Sequence, residues 1–131
     1  MNKSRVIEAM TIFGSPEDVS CCAQLLEYIE TGSKRIYYYS DFIEAVSDLH
    51  LHDPIQTVQR SLNLFKSRGF GLLRQEYRYL DDDGVVYPVE VEDLQAAYDD
   101  GALYLDWRNG SDSDFADKVY IVFFVGSDGA V

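Results

Sequence analysis

The amino-acid sequence predicts an α+β fold, and three observations carry that prediction. Helix-start signals recur in the first half at Ser15–Pro16, Ser40–Asp41 and Asp53–Pro54, each offering a cap or first-turn residue. Behind them apolar residues return at three- and four-residue steps, one buried helix face at a time. After Gly71 the step changes to two, the period of a strand.

Taken in order, residues 4–13 (SRVIEAMTIF) read as a short helix or strand, stopped by Gly14. Ser15 then caps a helix with Pro16, Glu17 and Asp18 in its first turn. Its inward stripe is Val19, Cys22, Leu26 and Ile29, and Gly32 ends it. RIYYY (35–39) is rich in β-favouring residues and predicts a short strand. Ser40–Asp41 opens a second helix with Phe42, Ala45, Val46 and Leu49 inward, and Asp53 caps a third with Ile55, Val58, Leu62 and Phe65 inward. Gly69 closes the third.

The hairpin register can be reasoned out. Leu73, Gln75, Tyr77 and Tyr79 share one side of the first strand; Val85, Tyr87, Val89 and Val91 form the apolar side of the second. A three-residue loop, Asp82–Asp83–Gly84, pairs Tyr79 with Tyr87 and Tyr77 with Val89, whereas loops of two or four residues set apolar against charged side chains. The three-residue solution needs a positive φ at its last position, which Gly84 supplies, so a type I turn with a glycine bulge is predicted. A helix over 90–100 ends at Gly101. ALYLDW and KVYIVFFV are two further strands around the polar loop RNGSDSDFAD, read as a C-terminal β-hairpin. The last strand is apolar on both sides and should lie centrally.

Bulk properties bound the function. The chain has 131 residues, 47% of them hydrophobic, and a formal net charge of −12, which suits one folded domain rather than a disordered acidic tail. The start lacks the apolar core of a signal peptide, and Val119–Val125 is too short to span a bilayer. A soluble, cytoplasmic protein is the expectation. Cys21 and Cys22 are adjacent, which disfavours a bridge between them, so both are expected reduced, Cys22 as a small core residue.

The order helix, short strand, helix, tight turn, helix, hairpin over residues 15–91 resembles a winged helix-turn-helix. The segment SDFIEAVSDLHLHDPIQTVQRSLNLFKSRGFGLL and the hairpin behind it carry the likeness. It implies a three-helix core with a β-hairpin wing, followed at 92–131 by an extension, all within a single domain over 1–131. TVQRSLNLFKSRGF is then the third helix.

Residues 54–80 hold five basic residues against one acid, a basic island in an acidic chain. The resemblance implies that Gln56, Gln59, Arg60, Asn63 and Ser67 face away from the core, where such side chains can pair with base edges. Lys66, Arg68, Arg74 and Arg78 could then meet phosphates. Sequence-specific DNA binding is thus one reading. Against it stands Asp81–Asp83 at the expected wing tip, which would repel a backbone within a screening length of about 8 Å.

The acidity supports the preferred reading: a non-catalytic accessory or assembly subunit, or an inhibitor, docking on a basic protein partner. A nuclease-immunity protein or DNA mimic is a further form of it. Residues 81–131 carry thirteen acids against Arg108 and Lys118, and aromatic side chains there can anchor an interface. Tyr98, Asp99, Asp100, Tyr104 and Trp107 are the candidate partner-binding residues; homodimerisation stays open.

No enzyme, metal or cofactor is expected. His50 and His52 have no further ligands at useful spacing. DDDG is no EF-hand, because Tyr79 stands where its first acid belongs. No phosphate-binding glycine loop or nucleophile elbow is present.

Overall fold

The structure is a computed structural model that describes residues 3–67 and 69–125. The ambiguous first segment is helical, α1 (Lys3–Phe13), with Val6 and Met10 buried. At Gly14 the backbone N–H donates to Met10 O at 2.7 Å, and a Cβ there would lie 2.7 Å from Asp18 Cβ and 2.9 Å from the Met10 carbonyl. Only glycine fits that approach. Gly14→Ala should therefore cost about 2 kcal/mol, the scale of overpacking, in urea unfolding followed by circular dichroism; unchanged stability would show that the junction relaxes freely.

Helix α2 (Pro16–Thr31) starts as its sequence predicts. The Asp18 amide donates to Ser15 Oγ at 3.2 Å, and the Ser15 amide donates to Asp18 Oδ2 at 2.8 Å, a reciprocal cap. Both cysteines are buried on this helix, and burial pushes the Cys22 thiol up to about 12. Strand β1 is only Ile36–Tyr37. Helix α3 (Tyr39–Ala45) starts with the Tyr38 amide donating to Asp41 Oδ2 at 2.8 Å. It is shorter than predicted: the chain tightens into a 3₁₀ turn at Ser47–Leu49, and His50 takes a left-handed φ of 51°.

Helix α4 (Pro54–Lys66) is capped by Asp53, which accepts from the Gln56 amide at 3.2 Å. Val58, Leu62 and Phe65 are buried as predicted, but Ile55 is 64% exposed. Ile55 shares their side of the helix, yet it lies in the first turn, ahead of Thr57 where burial begins.

Strand β2 (Leu73–Leu80) pairs with β3 (Val86–Val89) in the predicted register, Tyr77 with Val89 and Tyr79 with Tyr87. The Gly84 amide donates to Asp81 O and the residue has φ of 85°, the turn-plus-bulge geometry expected of that loop. Helix α5 (Val91–Asp100) ends at Gly101 in the left-handed region, φ 83°.

The C-terminal hairpin differs from expectation. Strand β4 (Leu103–Leu105) pairs with β5 (Gly110–Asp112), which lies inside the segment read as a polar loop. Asn109 reverses the chain with a φ of 49°, and the buried Asp112 and Phe115 draw the loop inward. Strand β6 (Val119–Val125) instead pairs with β1, Phe123 opposite Tyr37. The strand order is β1-β6-β2-β3, so β6 is interior, as its two apolar sides predicted, and β3 is an edge strand.

The fold is α+β, and it divides into two compact units. One comprises residues up to Gln75 with those from Phe123; the other is Glu76–Val122. The division falls within β2 and β6. Each unit has its own core. The first buries Val6, Leu25, Leu26, Phe42, Val58, Leu62, Phe65 and Phe123 among others. The second buries Tyr79, Leu94, Ala97, Leu103, Leu105 and Phe115.

Candidate partner-binding groove

Charge is shared unequally between the units. Glu76–Val122 holds thirteen acids against Arg78, Arg108 and Lys118, a net of −10 out of the chain's −12. Several of those acids are spent internally. The Asp112 carboxylate accepts from Tyr79 Oη at 2.6 Å, Lys118 Nζ at 2.8 Å and the Asp114 amide at 2.8 Å. Burial alone would raise its pKa; these donors outweigh that and hold it at about 2. Lys118 also reaches Asp82 at 3.3 Å.

Asp81 is buried and accepts from Trp107 Nε1 at 2.8 Å, from Arg108 at 3.0 Å and from the Asp82 amide at 2.7 Å. Trp107's N–H is the chief cause of a carboxyl held below the ordinary carboxylate range. Within the aspartate run Asp81 is buried, whereas Asp82 and Asp83 are exposed as expected of a tip. Asp81 anchors the loop inward and Asp82 is ion-paired. Trp107 is fixed from a second direction by Tyr87, whose ring stacks on it at 3.9 Å and 9°.

Beside this clamp lies a groove of about 540 Å³, wholly within the second unit. Pro88, Val89, Ala96, Ala97, Ala102 and Leu103 give it an apolar floor, and Tyr104 and Trp107 give it aromatic walls. Glu90, Asp93, Asp100 and Asp106 complete the lining, with no basic residue among them. Among the described residues none of these four carboxylates has an ion-pair partner. Asp93, Ala96, Ala97 and Asp100 are spaced by three and four along α5, so one helix face supplies a wall.

Of the five predicted partner-binding residues, the groove gathers Asp100, Tyr104 and Trp107. Tyr98 is 66% exposed with its ring edge against Phe115, and Asp99 is exposed; neither lines the groove. Sequence reasoning missed Glu90, Asp93 and Asp106. The pair of acids seven residues apart on α5 was the available signal for Asp93.

Several nucleic-acid candidates carry contacts that the sequence did not show. Gln56, Gln59, Arg60 and Asn63 are exposed on α4 as predicted, while Ser67 is half-buried. Yet Arg60 Nε donates to the buried Asp18 at 2.8 Å, and Gln59 is held by Tyr39 Oη at 2.7 Å and bonded to Asn63 at 3.2 Å. Lys66 is half-buried and donates to Gln75 at 2.5 Å; burial lowers its pKa. Arg74 lies 5.1 Å from the centre of the Phe124 ring, and Arg78 is 3.8 Å from Glu76. Arg68 lies outside the described residues. The described cations of the island therefore already serve the fold.

His50 and His52 are exposed, and the His52 amide donates to Glu17. Among the described residues no group of three or more His, Cys, Asp or Glu is gathered closely enough to hold a metal ion. No described helix is long and apolar enough to cross a membrane. Compared with known protein families, curated proteins and solved structures, the chain matches none.

Proposed function

We propose that the chain is a non-catalytic interaction module that docks on a basic surface of a protein partner through the second unit. The observation that carries this reading is the groove: four carboxylates without an ion-pair partner among the described residues, on an apolar, aromatic-walled concavity. Acids that serve only solubility have no reason to line an apolar concavity. Here they adjoin rings already fixed in place, so little side-chain freedom is lost on docking. The −10 charge of this unit adds long-range steering of a cationic partner.

The order of elements over residues 15–91 supports a winged-helix-like scaffold. The tie between Arg60 and Asp18 weighs against α4 as a reader of bases. Two buried, unbridged cysteines support a reducing, cytoplasmic setting.

The test is comparative. The full chain, its Asp93→Lys/Asp100→Lys variant and its Asp99→Lys variant serve as baits in host lysate, and the association rate is then measured on the retained partner. Reversal inside the groove should slow association by about tenfold or more at low salt, and Asp99→Lys should change it far less. Equal rates for all three would remove the groove from consideration.

A further inference from the structure

The same groove suggests what it grips. Resting on the docking proposal, we propose that it takes an extended, arginine-bearing segment of the partner, with guanidinium groups against the carboxylates and aromatic walls.

Three features of the lining narrow the ligand to this chemistry. First, the acids are spread out. Asp93 and Asp100 are two helical turns apart, roughly 10 Å along the axis of α5 at 1.5 Å per residue, and among the described residues no three His, Cys, Asp or Glu are gathered closely enough to hold a metal ion. A single cation cannot answer them; a chain carrying cations at intervals can. Residues three apart on an extended segment are separated by about 10 Å.

Second, half of the twelve lining residues are aliphatic. The ligand must therefore bring methylene groups along with its charge. Arginine and lysine both do so, laying their stems on apolar surface while the head reaches a polar rim.

Third, the aromatic walls favour arginine over lysine. Trp107 is held by the Tyr87 stack and the Asp81 hydrogen bond, and the Tyr104 hydroxyl is bonded to Asn109 at 2.7 Å. Such rings offer fixed surfaces. A guanidinium is planar, weakly hydrated and able to stack on a ring while its N–H groups bind a carboxylate. An ammonium keeps its water more tightly and gains less at such a wall.

Trp107 is the chain's sole tryptophan, so the site carries its own reporter. The experiment titrates the full chain with a repeating Arg-Gly-Ser peptide and with a Lys-Gly-Ser peptide of equal length and charge. Indole emission and backbone amide shifts are followed at physiological salt. The arginine peptide is expected to change Trp107 emission saturably and to bind roughly threefold or more tighter than the lysine peptide, the size of an exposed cation–π contact. Asp93→Asn/Asp100→Asn should weaken it by about tenfold, with amide shifts confined to α5, β4 and the Trp107 turn in the unmodified chain.

Equal binding of the two peptides at the groove overturns the arginine inference and leaves the docking proposal standing. Binding that spares Trp107 and survives the double variant overturns the placement. Failure of both peptides to bind at any salt concentration overturns this inference together with the proposal beneath it.

Discussion

Asp112→Ala is expected to lower the unfolding free energy by about 3 kcal/mol, the cost of breaking a buried, charge-assisted cluster. The carboxylate is 7% exposed and takes hydrogen bonds from Tyr79, Lys118 and Asp114. Its removal leaves a fully buried phenol without an acceptor and a lysine without its closest counter-ion. The pH dependence has a definite sign. Asp112 is held at about 2 against an ordinary 3.8, so protonation is easier in the unfolded chain. Its stabilisation is complete above 3.8 and fades as pH falls through about 2. Tyr79 mirrors this at the alkaline end. Burial, reinforced by the bond to Asp112, pushes it from 10.0 up to about 12. That contribution is complete below 10 and is lost as pH rises through about 12. Urea unfolding followed by Trp107 emission, near neutrality, in acid and again in alkali, checks both statements. A loss smaller than about 1 kcal/mol, or an acid sensitivity unchanged in the variant, would contradict them.

Phe42→Ala should cost the first unit about 4 kcal/mol, at the level of other buried phenylalanine truncations. Phe42 is fully buried, stacked on Tyr37 at 5.2 Å and set edge-on to Tyr28 at 6.3 Å and Phe123 at 5.5 Å. Its ring therefore joins α2, β1, α3 and β6, and no single neighbour can close the space it leaves. Far-ultraviolet circular dichroism in urea measures the loss. A cost below about 2 kcal/mol would mean that the aromatic cluster repacks around the gap. Phe42→Leu, which keeps much of the volume, should recover more than half of the deficit.

Much of the fold was legible where the cause is local. The Ser15 and Asp53 caps, the left-handed Gly84 and Gly101, and the register of β2 on β3 each follow from residues within a few positions of one another. The period-two rule left only one arrangement that buried Tyr77 and Tyr79 with Val89 and Tyr87. What could not be read were partnerships set by distant segments. Arg60 and Asp18 are 42 residues apart, Trp107 and Asp81 26, and Tyr79 and Asp112 33. Each converts a residue that reads as free surface charge into part of the scaffold. This is why the basic island suggested nucleic acid and the aspartate run suggested a repelling tip. The candidate site was legible in part: acid and aromatic density located Asp100, Tyr104 and Trp107. Glu90 and Asp106 join them only through the packing of α5 on β4.

Pro88 sits in β3, at the margin of the strand order and in the lining of the groove. Its ring removes a main-chain donor where another polypeptide would otherwise add itself to the array. Growth by strand addition is blocked on that side, the route by which exposed sheet margins recruit copies of themselves and form insoluble fibres. A visitor here must be recognised through side chains, which lets the chain discriminate between partners instead of zipping onto any extended backbone.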